Sequence, residues 1–340
     1  MRKVALLYEQ LDRQTVRCFL CSHGCRITAN KFGFCGVRQN LGGKLYTHVY
    51  GNPCALHVDP IEKKPLYHFF PGTYSYSLAT VGCNFHCGFC QNWQISQVLA
   101  QDIASQSAQK EVSASEIVAA AVKSGCGSIS YTYTEPTIFF EYALDIAKLA
   151  KENKLSNVFV TNGYMSGEAL SLIKPYLDAA NVDLKFFQKA SYRKICGADL
   201  QPVLDSIVLM KKMGIWVEIT TLIVPGENDS DDELAGIAGF ISGIDKDMPW
   251  HVSRFHPDYK FSDYQATPQA TLEKACAIAK YAGLNYVYAG NVDWGSDTCC
   301  PGCKKSLIKR AGFSILENNI KSGKCAFCAT VIPGRFEKGG

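Results

Sequence analysis

Three closely spaced cysteines, Cys83, Cys87 and Cys90, are the residues whose type and spacing most clearly indicate chemistry in this chain. They lie in the segment C-N-F-H-C-G-F-C. Cysteine thiolates hold iron–sulfur clusters, and a cubane normally takes four of them. Three thiolates leave one iron without a protein ligand, and such an open position is typical of catalytic metal sites. The alternative is a zinc knuckle that lacks one ligand.

The spacing of three residues followed by two resembles the signature of the radical S-adenosylmethionine (SAM) superfamily. The resemblance implies that the three cysteines hold a [4Fe–4S] cluster and that SAM chelates the open iron through its amino and carboxylate groups. One electron then splits SAM into methionine and a 5′-deoxyadenosyl radical. Phe89 occupies the family's aromatic position, which packs near the adenine.

Composition and cysteine usage indicate a cytoplasmic metalloprotein. The chain has 340 residues, of which 47% are hydrophobic and 19% charged. Its apolar runs fall short of the ~20 residues that a membrane span requires, and the start lacks the apolar core of a signal peptide. Eleven of the sixteen cysteines fall into three ligand-like groups. This grouping favours metal sites in a reducing cytosol over a secreted disulfide framework.

The formal charge of +4 does not indicate a nucleic-acid partner. Thiolates that bind metals are deprotonated, so the metallated protein is expected to be close to neutral. The lysines and arginines form no basic stripe with interleaved aromatic residues. We therefore expect a mixed-charge surface.

The chain divides into three predicted regions: a cysteine-rich N-terminal region (residues 1–72), a central region (73–293) and a short cysteine-bearing tail (294–340). Predicted strands lie at residues 76–81, 128–133, 157–161, 181–184, 216–222, 251–254 and 285–288. Predicted helices lie at residues 114–124, 138–151, 167–174, 203–213, 232–241 and 271–281. This alternation predicts an α/β fold with a parallel sheet and right-handed crossovers. A doubly wound sheet fits nearly as well, but the resemblance implies a partial (β/α)6 barrel.

The remaining motifs follow predicted strands, where parallel α/β folds collect their chemistry. Glu135 lies in Y-T-Y-T-E-P-T, which resembles the superfamily segment that contacts the SAM amino group, with Tyr-Thr in place of Gly-Gly. Alternatively, Glu135 is a helix N-terminal residue before Pro136. Asn162 lies in a T-N-G turn similar to that of glycyl-radical activating enzymes, where it faces SAM. A plain glycine turn explains that motif equally well.

Asp183 and Lys185 form a D-L-K motif that the same activating enzymes carry, which implies contact with SAM and with the partner's glycyl loop. On a strand, both side chains point to the same face, and charges aimed at an interior need partners or a ligand. The alternative is a buried Asp–Lys ion pair. His256 precedes Pro257 and matches an element whose histidine contacts SAM.

Two further cysteine groups predict structural metal sites. The tail carries two C-x-x-C pairs at zinc-ribbon spacing, which predict a closed tetrathiolate site, with zinc favoured over iron. The ligands are Cys300, Cys303, Cys325 and Cys328. The N-terminal group predicts a second zinc site, with His23 as a spare ligand; an auxiliary cubane would use the same four thiolates. These ligands are Cys18, Cys21, Cys25 and Cys35.

Over its whole length, including the run H-V-D-P-I-E-K-K-P-L at residues 57–66, the chain resembles the AmmeMemoRadiSam system radical SAM enzymes. The resemblance implies Memo-like and AMMECR-type partner proteins and an electron donor such as flavodoxin or ferredoxin. The function predicted is hydrogen abstraction from a protein or peptide, similar to glycyl-radical-enzyme activation. The alternatives are radical modification of a small, aromatic molecule and a non-catalytic, metal-stabilised binding scaffold.

Overall fold

An eight-stranded sheet organises the protein, whose computed structural model describes residues 2–98, 103 and 111–337. In spatial order the strands are Val287–Gly290, Trp250–Arg254, Trp216–Ile223, Ala179–Asp183, Ser156–Thr161, Ser128–Tyr131, Tyr74–Ala79 and Ala55–Pro60. The seven strands from residue 74 onward pair in parallel. Strands that follow each other in sequence are neighbours in the sheet, and helices connect them. This is the predicted α/β architecture, a partial barrel.

The helices follow the predicted alternation, with small shifts at their ends. The α-helices are Trp93–Ser96, Ala114–Lys123, Phe140–Glu152, Gly167–Ile173, Lys189–Ser191, Leu200–Lys212, Asp231–Ile244 and Gln269–Tyr281. Short 3-10 helices span Ile61–Lys63, Pro136–Phe139 and Tyr259–Phe261, and a π-helix spans Tyr192–Cys196. Three helices begin where a serine side chain accepts a bond from a backbone N–H of the first turn: Ser113, Ser166 and Ser230. Serine is a preferred N-cap residue, which explains why the N-termini of these helices can be predicted from the sequence.

The N-terminal region contributes more to the sheet than its sequence indicates. Residues Ala55–Pro60 form an edge strand, antiparallel to Tyr74–Ala79, that was not predicted. Two small antiparallel sheets precede it. Their strands are Lys3–Val4, Lys44–Thr47 and Arg38–Leu41, and Tyr8–Gln10, Thr15–Cys18 and Arg26–Thr28.

The C-terminal tail folds into short antiparallel strands that pack against the amino end of the barrel. The strands are Thr298–Cys299, Ser306–Ala311, Ser314–Asn318, Ile320–Lys321 and Lys324–Cys325. Leu307, Ile308 and Ile332 of the tail pack with Tyr67 and Tyr288. None of the helices that the structure describes combines the length and the apolar character needed to cross a membrane.

A buried polar network also marks the amino end of the barrel. Glu218, near the start of its strand, accepts hydrogen bonds from the backbone N–H groups of Tyr67 (3.0 Å) and His68 (2.8 Å). It also accepts from Trp216 Nε1 at 3.0 Å, and its other contact is His251 Nε2 at 2.7 Å. These bonds link the segment that crosses the barrel end to two strands distant in sequence, Trp216–Ile223 and Trp250–Arg254.

Candidate active site

Cys83, Cys87 and Cys90 lie on a loop after the strand Tyr74–Ala79, at the carboxyl ends of the parallel strands. They line a cavity of about 520 Å³. The other predicted site residues on its wall are Phe89, Glu135, Asn162, Asp183 and Lys185. The topology therefore brings these side chains to one cavity, which is where α/β barrels place their chemistry.

The cysteine loop is held by backbone contacts rather than by regular structure. The N–H of His86 donates to Cys196 O at 3.0 Å, and the N–H of Gly88 donates to Ile195 O at 3.3 Å. Gly82 has φ +95°, and a Cβ there would lie 2.5 Å from Val37 Cγ1. A glycine is therefore required just before Cys83, because both the backbone angle and the space exclude a side chain.

The three sulfur atoms face different neighbours within the same pocket. Ser96 Oγ lies 3.1 Å from Cys90 Sγ, and burial raises the pKa of the Cys90 and Cys83 thiols. A hydrogen bond from Cys196 lowers the pKa of Cys87. Cys196 lies outside the three ligand-like cysteine groups and is buried, yet it contacts this site residue.

Asp183 and Lys185 form an ion pair on the cavity wall, with Oδ2 and Nζ 2.9 Å apart. The Asp183 side chain is 35% exposed and that of Lys185 is 16% exposed, so the pair faces the cavity rather than the packed core. Burial would lower the pKa of Lys185, but the charge of Asp183 holds it well above its usual value. The lysine is therefore an ammonium at neutral pH. Its Nζ lies 5.8 Å from the centroid of the Phe89 ring.

Glu135 is buried and already has several protein donors. Its carboxylate accepts from the N–H of Thr137 (3.0 Å), Thr161 Oγ1 (2.8 Å) and the N–H of Asn162 (2.8 Å). The first of these bonds caps the helix Pro136–Phe139. Glu135 is thus the helix N-terminal residue that the sequence offered as an alternative. The same carboxylate lies on the cavity wall.

Asn162 supports the cysteine loop from the neighbouring strand end. Its Nδ2 donates to Asn84 Oδ1 at 2.7 Å, and its Oδ1 accepts from the N–H of Tyr164 at 3.0 Å. Asn84 follows Cys83 directly. The T-N-G turn therefore positions the cysteine loop through a side-chain contact that no spacing rule predicts.

Two comparisons with known proteins identify the family. The model of the radical SAM superfamily matches residues 77–238. The uncharacterized protein MJ0808 of Methanocaldococcus jannaschii is 45% identical over 333 residues, covering 96% of this chain and 98% of that protein. The chain belongs to the radical SAM superfamily. It is a radical SAM enzyme, and Cys83, Cys87 and Cys90 lie within the matched residues.

More distant relatives carry functional names. The pyruvate formate-lyase-activating enzyme of Clostridium pasteurianum is 25% identical over 218 residues, covering 59% of this chain and 86% of that enzyme. The solved structure of Streptococcus suis SuiB bound to S-adenosylmethionine has a TM-score of 0.50 and 14% identity. It covers 68% of this chain and 53% of that one. The second likeness shows the fold alone.

The cavity of this radical SAM enzyme fits the [4Fe–4S] cluster and the SAM that the family implies. The three sulfur atoms face one space but do not all lie within 4.8 Å of one another, so they do not surround a single small ion. Thr220 Oγ1 is buried on the same wall and has no hydrogen-bond partner in the described part of the chain. A buried polar atom without a partner indicates a missing ligand or water.

His256 lies outside the cavity lining that the structure describes. It is exposed, and its Nδ1 lies 3.1 Å from Nε2 of Gln91, which does line the cavity. The expected placement of His256 around the cavity is therefore not seen, because the chain turns toward the surface after the strand Trp250–Arg254. Contact between His256 and SAM stays a prediction.

Three further residues on the cavity wall were missed from the sequence: Lys63, Lys64 and Tyr133. Asp59 joins them, with ion pairs to Lys63 (2.8 Å) and Lys64 (2.6 Å) and a short hydrogen bond from the Tyr133 hydroxyl. Tyr133 has φ +64°, at the place where the family carries glycine. Two features of the sequence could have pointed to these residues: the D-x-x-x-K-K pattern of Asp59, Lys63 and Lys64, and the Tyr-Thr that replaces Gly-Gly before Glu135.

The two flanking cysteine groups differ in the spacing of their sulfur atoms. Those of Cys300, Cys303, Cys325 and Cys328 all lie within 4.8 Å of one another. Among the described residues, the N-terminal cysteines form no such compact group. The zinc site predicted at Cys18, Cys21, Cys25 and Cys35 stays a prediction.

Proposed function

We propose that this radical SAM enzyme cleaves SAM reductively and abstracts a hydrogen atom from a protein or peptide substrate, similar to glycyl-radical-enzyme activation. The observation that carries the proposal is the shared cavity of the three cluster cysteines and the Asp183–Lys185 pair. The resemblance to glycyl-radical activating enzymes implies that this D-L-K motif contacts both SAM and the glycyl loop of the partner. Similarity to the pyruvate formate-lyase-activating enzyme supports the same substrate class.

Different residues would bind the cluster and SAM. Cys83, Cys87 and Cys90 would hold the [4Fe–4S] cluster, which when bound supplies the electron that cleaves SAM. SAM carries an ammonium, a carboxylate and a sulfonium group. The carboxylate of Asp183 suits the cationic groups and the ammonium of Lys185 suits the carboxylate, so no buried charge is left unpaired.

Binding SAM on this wall would require the Asp183–Lys185 pair to share or exchange partners. The pair is partly exposed to the cavity. The charge of Asp183 holds the pKa of Lys185 well above its usual value, so the lysine can bind an anionic ligand group as an ammonium. Phe89 gives the cavity an apolar side against which the adenine can pack.

The substrate class is tested by radical trapping on a polypeptide. The reconstituted enzyme is mixed anaerobically with dithionite, SAM and a candidate glycyl-radical protein, and the sample is frozen for EPR. A stable glycyl signal that requires SAM and disappears with the Cys83→Ala/Cys87→Ala/Cys90→Ala variant is expected. Absence of the signal with every candidate, while 5′-deoxyadenosine still forms, would favour a small-molecule substrate.

The partner proteins follow from the same proposal. We infer a Memo-like and an AMMECR-type protein as partners, and flavodoxin or ferredoxin as electron donor, from the whole-chain resemblance. Co-purification with each candidate under anaerobic conditions tests the first two. Reduction of the enzyme by flavodoxin or ferredoxin in place of dithionite tests the donor.

We also propose that the C-terminal cysteines bind zinc. Two of their sulfur–sulfur distances are 3.5 Å (Cys300 to Cys328) and 3.8 Å (Cys303 to Cys325). Four thiolates at about 2.3 Å around one tetrahedral ion stand roughly 3.8 Å apart. Zinc analysis of the purified protein, compared with a Cys300→Ser/Cys303→Ser variant, tests the site.

A further inference from the structure

The four N-terminal cysteines converge on a second, smaller cavity on the other side of the radical SAM loop. They come from the strand Thr15–Cys18 and the turns after it, and the N–H of Cys18 donates to Cys25 O at 2.9 Å. The wall of the cavity carries the four cysteines together with aliphatic side chains: Cys18, Cys21, Cys25, Cys35, Leu20, Ile27 and Ile138. Thiols in an apolar wall suit a metal or metal cluster rather than an organic ligand.

The spacing of the sulfur atoms separates a single ion from a cluster. A single zinc ion draws four sulfurs to within about 3.8 Å of one another, and the C-terminal group shows this compact arrangement. In a cubane each thiolate binds a different iron, so the sulfurs stand farther apart. Neither the N-terminal cysteines nor the three radical SAM cysteines form a compact group in the described chain. In this respect the N-terminal group resembles the three radical SAM cysteines and differs from the C-terminal group.

Arg38 supplies an independent indication of a ligand in this cavity. It is 1% exposed and lies on the cavity wall. Its Nη2 donates to both carboxylate oxygens of Glu141 (2.7 and 2.6 Å), and its Nη1 donates to Leu6 O at 3.2 Å. Its Nε has no partner among the residues described. A buried N–H without an acceptor is costly, and sulfur atoms of an iron–sulfur cluster accept such bonds.

His23 has another function in this arrangement. Its Nε2 lies 2.7 Å from Asn84 O, and because a carbonyl oxygen can only accept, Nε2 is the donor. The ring stacks on Phe34 with centroids 4.2 Å apart. His23 thus fastens the N-terminal cysteines to the loop that follows Cys83. The four thiols are sufficient to ligate a cluster without it.

We propose that Cys18, Cys21, Cys25 and Cys35 hold a second [4Fe–4S] cluster, with Arg38 Nε donating to one of its sulfur atoms. Four thiolates leave no iron open, so this cluster does not bind SAM. The cysteines that would hold it lie directly behind the radical SAM loop: a Cβ on Gly82 would be only 3.2 Å from Cys35 O. The proposal goes beyond the proposed function, since SAM cleavage requires only the first cluster.

Metal analysis of a variant without the first cluster tests this proposal. The Cys83→Ala/Cys87→Ala/Cys90→Ala protein is purified anaerobically, reconstituted with iron and sulfide, and assayed for iron, sulfide and zinc. About four irons and four sulfides per chain should remain. After reduction, the EPR signal of this iron should not change when SAM is added. An iron-free variant that carries two zinc ions per chain would overturn the proposal.

The matched comparison adds Cys18→Ala and Cys35→Ala to the triple variant, which should abolish the residual iron. Cys54→Ala is the control, because Cys54 is a half-buried thiol outside the three groups, and it should leave the iron count unchanged. If the quintuple variant does not fold, the unmodified protein decides. About eight irons and one zinc support a second cluster, whereas about four irons and two zincs contradict it. Failure of SAM cleavage leaves this count unaffected.

Discussion

Glu218 and Thr220 lie two residues apart on one strand and face the same side, yet their surroundings differ completely. Glu218, toward the amino end of the barrel, is in contact with four hydrogen-bonding groups from Tyr67, His68, Trp216 and His251. Thr220, toward the carboxyl end, has a buried hydroxyl without a partner in the described chain. A buried polar group whose hydrogen bonds are all made within the protein stabilises the fold. A buried polar group without a protein partner indicates that a ligand or water binds there.

The same contrast extends to the two appendages. The C-terminal tail covers the amino end, where Arg310 donates to Tyr67 O at 2.9 Å and to Thr298 Oγ1 at 2.9 Å. The N-terminal cysteines contact the radical SAM loop at the other end, through His23 and Asn84. We therefore expect mutations at the amino end of the barrel to lower stability, and mutations at the carboxyl end to weaken SAM binding.

The largest effect on stability is expected from Glu218→Ala. Removing one partner of a buried charged network leaves the others without an acceptor and costs about 3–5 kcal/mol of unfolding free energy. Chemical denaturation measures the loss. Glu218→Gln, which keeps an acceptor oxygen, should lose less, and SAM affinity of the folded fraction should stay unchanged for both. A drop in SAM affinity with normal stability would contradict the division between the two ends.

Asp183→Ala should show the opposite pattern. Truncating one member of a charge pair that the ligand covers weakens binding by about 2–5 kcal/mol, so SAM affinity should fall steeply while the cluster remains loaded. Equilibrium binding of SAM, together with iron analysis and the melting temperature, measures all three properties. Normal SAM binding with a lower melting temperature would show that Asp183 and Lys185 are only a structural ion pair.

Acid should destabilise the amino end through His68. Its Nδ1 donates to Pro333 O at 2.7 Å, so Nε2 accepts from the Tyr288 hydroxyl at 2.6 Å and the ring is neutral. Burial lowers the pKa of His68 to about 4, from 6.5. Because the unfolded chain then binds the proton first, stability is lost as the pH falls from 6.5 toward 4, by up to about 3 kcal/mol.

Denaturation at pH 7 and pH 5 measures this slope. His68→Asn keeps an N–H for Pro333 O but does not titrate, so its slope between these pH values should be smaller than that of the unmodified protein. Equal slopes for the two proteins would show that other groups cause the acid sensitivity.

The smallest effect is expected from Thr220→Val, which removes one hydroxyl at constant shape. SAM affinity should fall by about 1 kcal/mol, the net value of one hydrogen bond, with stability unchanged. The neighbouring Thr221→Val is the matched control. Thr221 Oγ1 donates to Leu184 O at 2.8 Å and accepts from Trp250 Nε1 at 3.0 Å, so this variant should lose stability and keep SAM affinity.

The sequence predicts the residues at the carboxyl end of the barrel better than those at the amino end. Cluster spacing and strand alternation are local patterns, so they place Cys83 and Asp183 at strand ends without any tertiary information. Glu218 and His251 gave no signal, because their partners lie far away in the chain: Tyr67 is 151 residues from Glu218. The strand Ala55–Pro60 was missed for a different reason: it pairs antiparallel at an edge of an otherwise parallel sheet, outside the alternation of strands and helices.

Sulfur spacing is likewise a property of the fold and not of the cysteine motif. Four thiols in C-x-x-C-type patterns can enclose one ion or one cubane. The difference between the N-terminal and C-terminal groups depends on how far apart the turns hold Cys18 and Cys35 compared with Cys300 and Cys303. Residue spacing in the chain does not determine that distance.

Formation of 5′-deoxyadenosine tests the central claim most directly. The enzyme reconstituted anaerobically with iron and sulfide, reduced with dithionite and given SAM should release 5′-deoxyadenosine. The Cys83→Ala/Cys87→Ala/Cys90→Ala variant should release none, even if iron remains bound at the N-terminal cysteines. Release of 5′-deoxyadenosine by that variant at the rate of the unmodified enzyme would contradict the assignment of the active site.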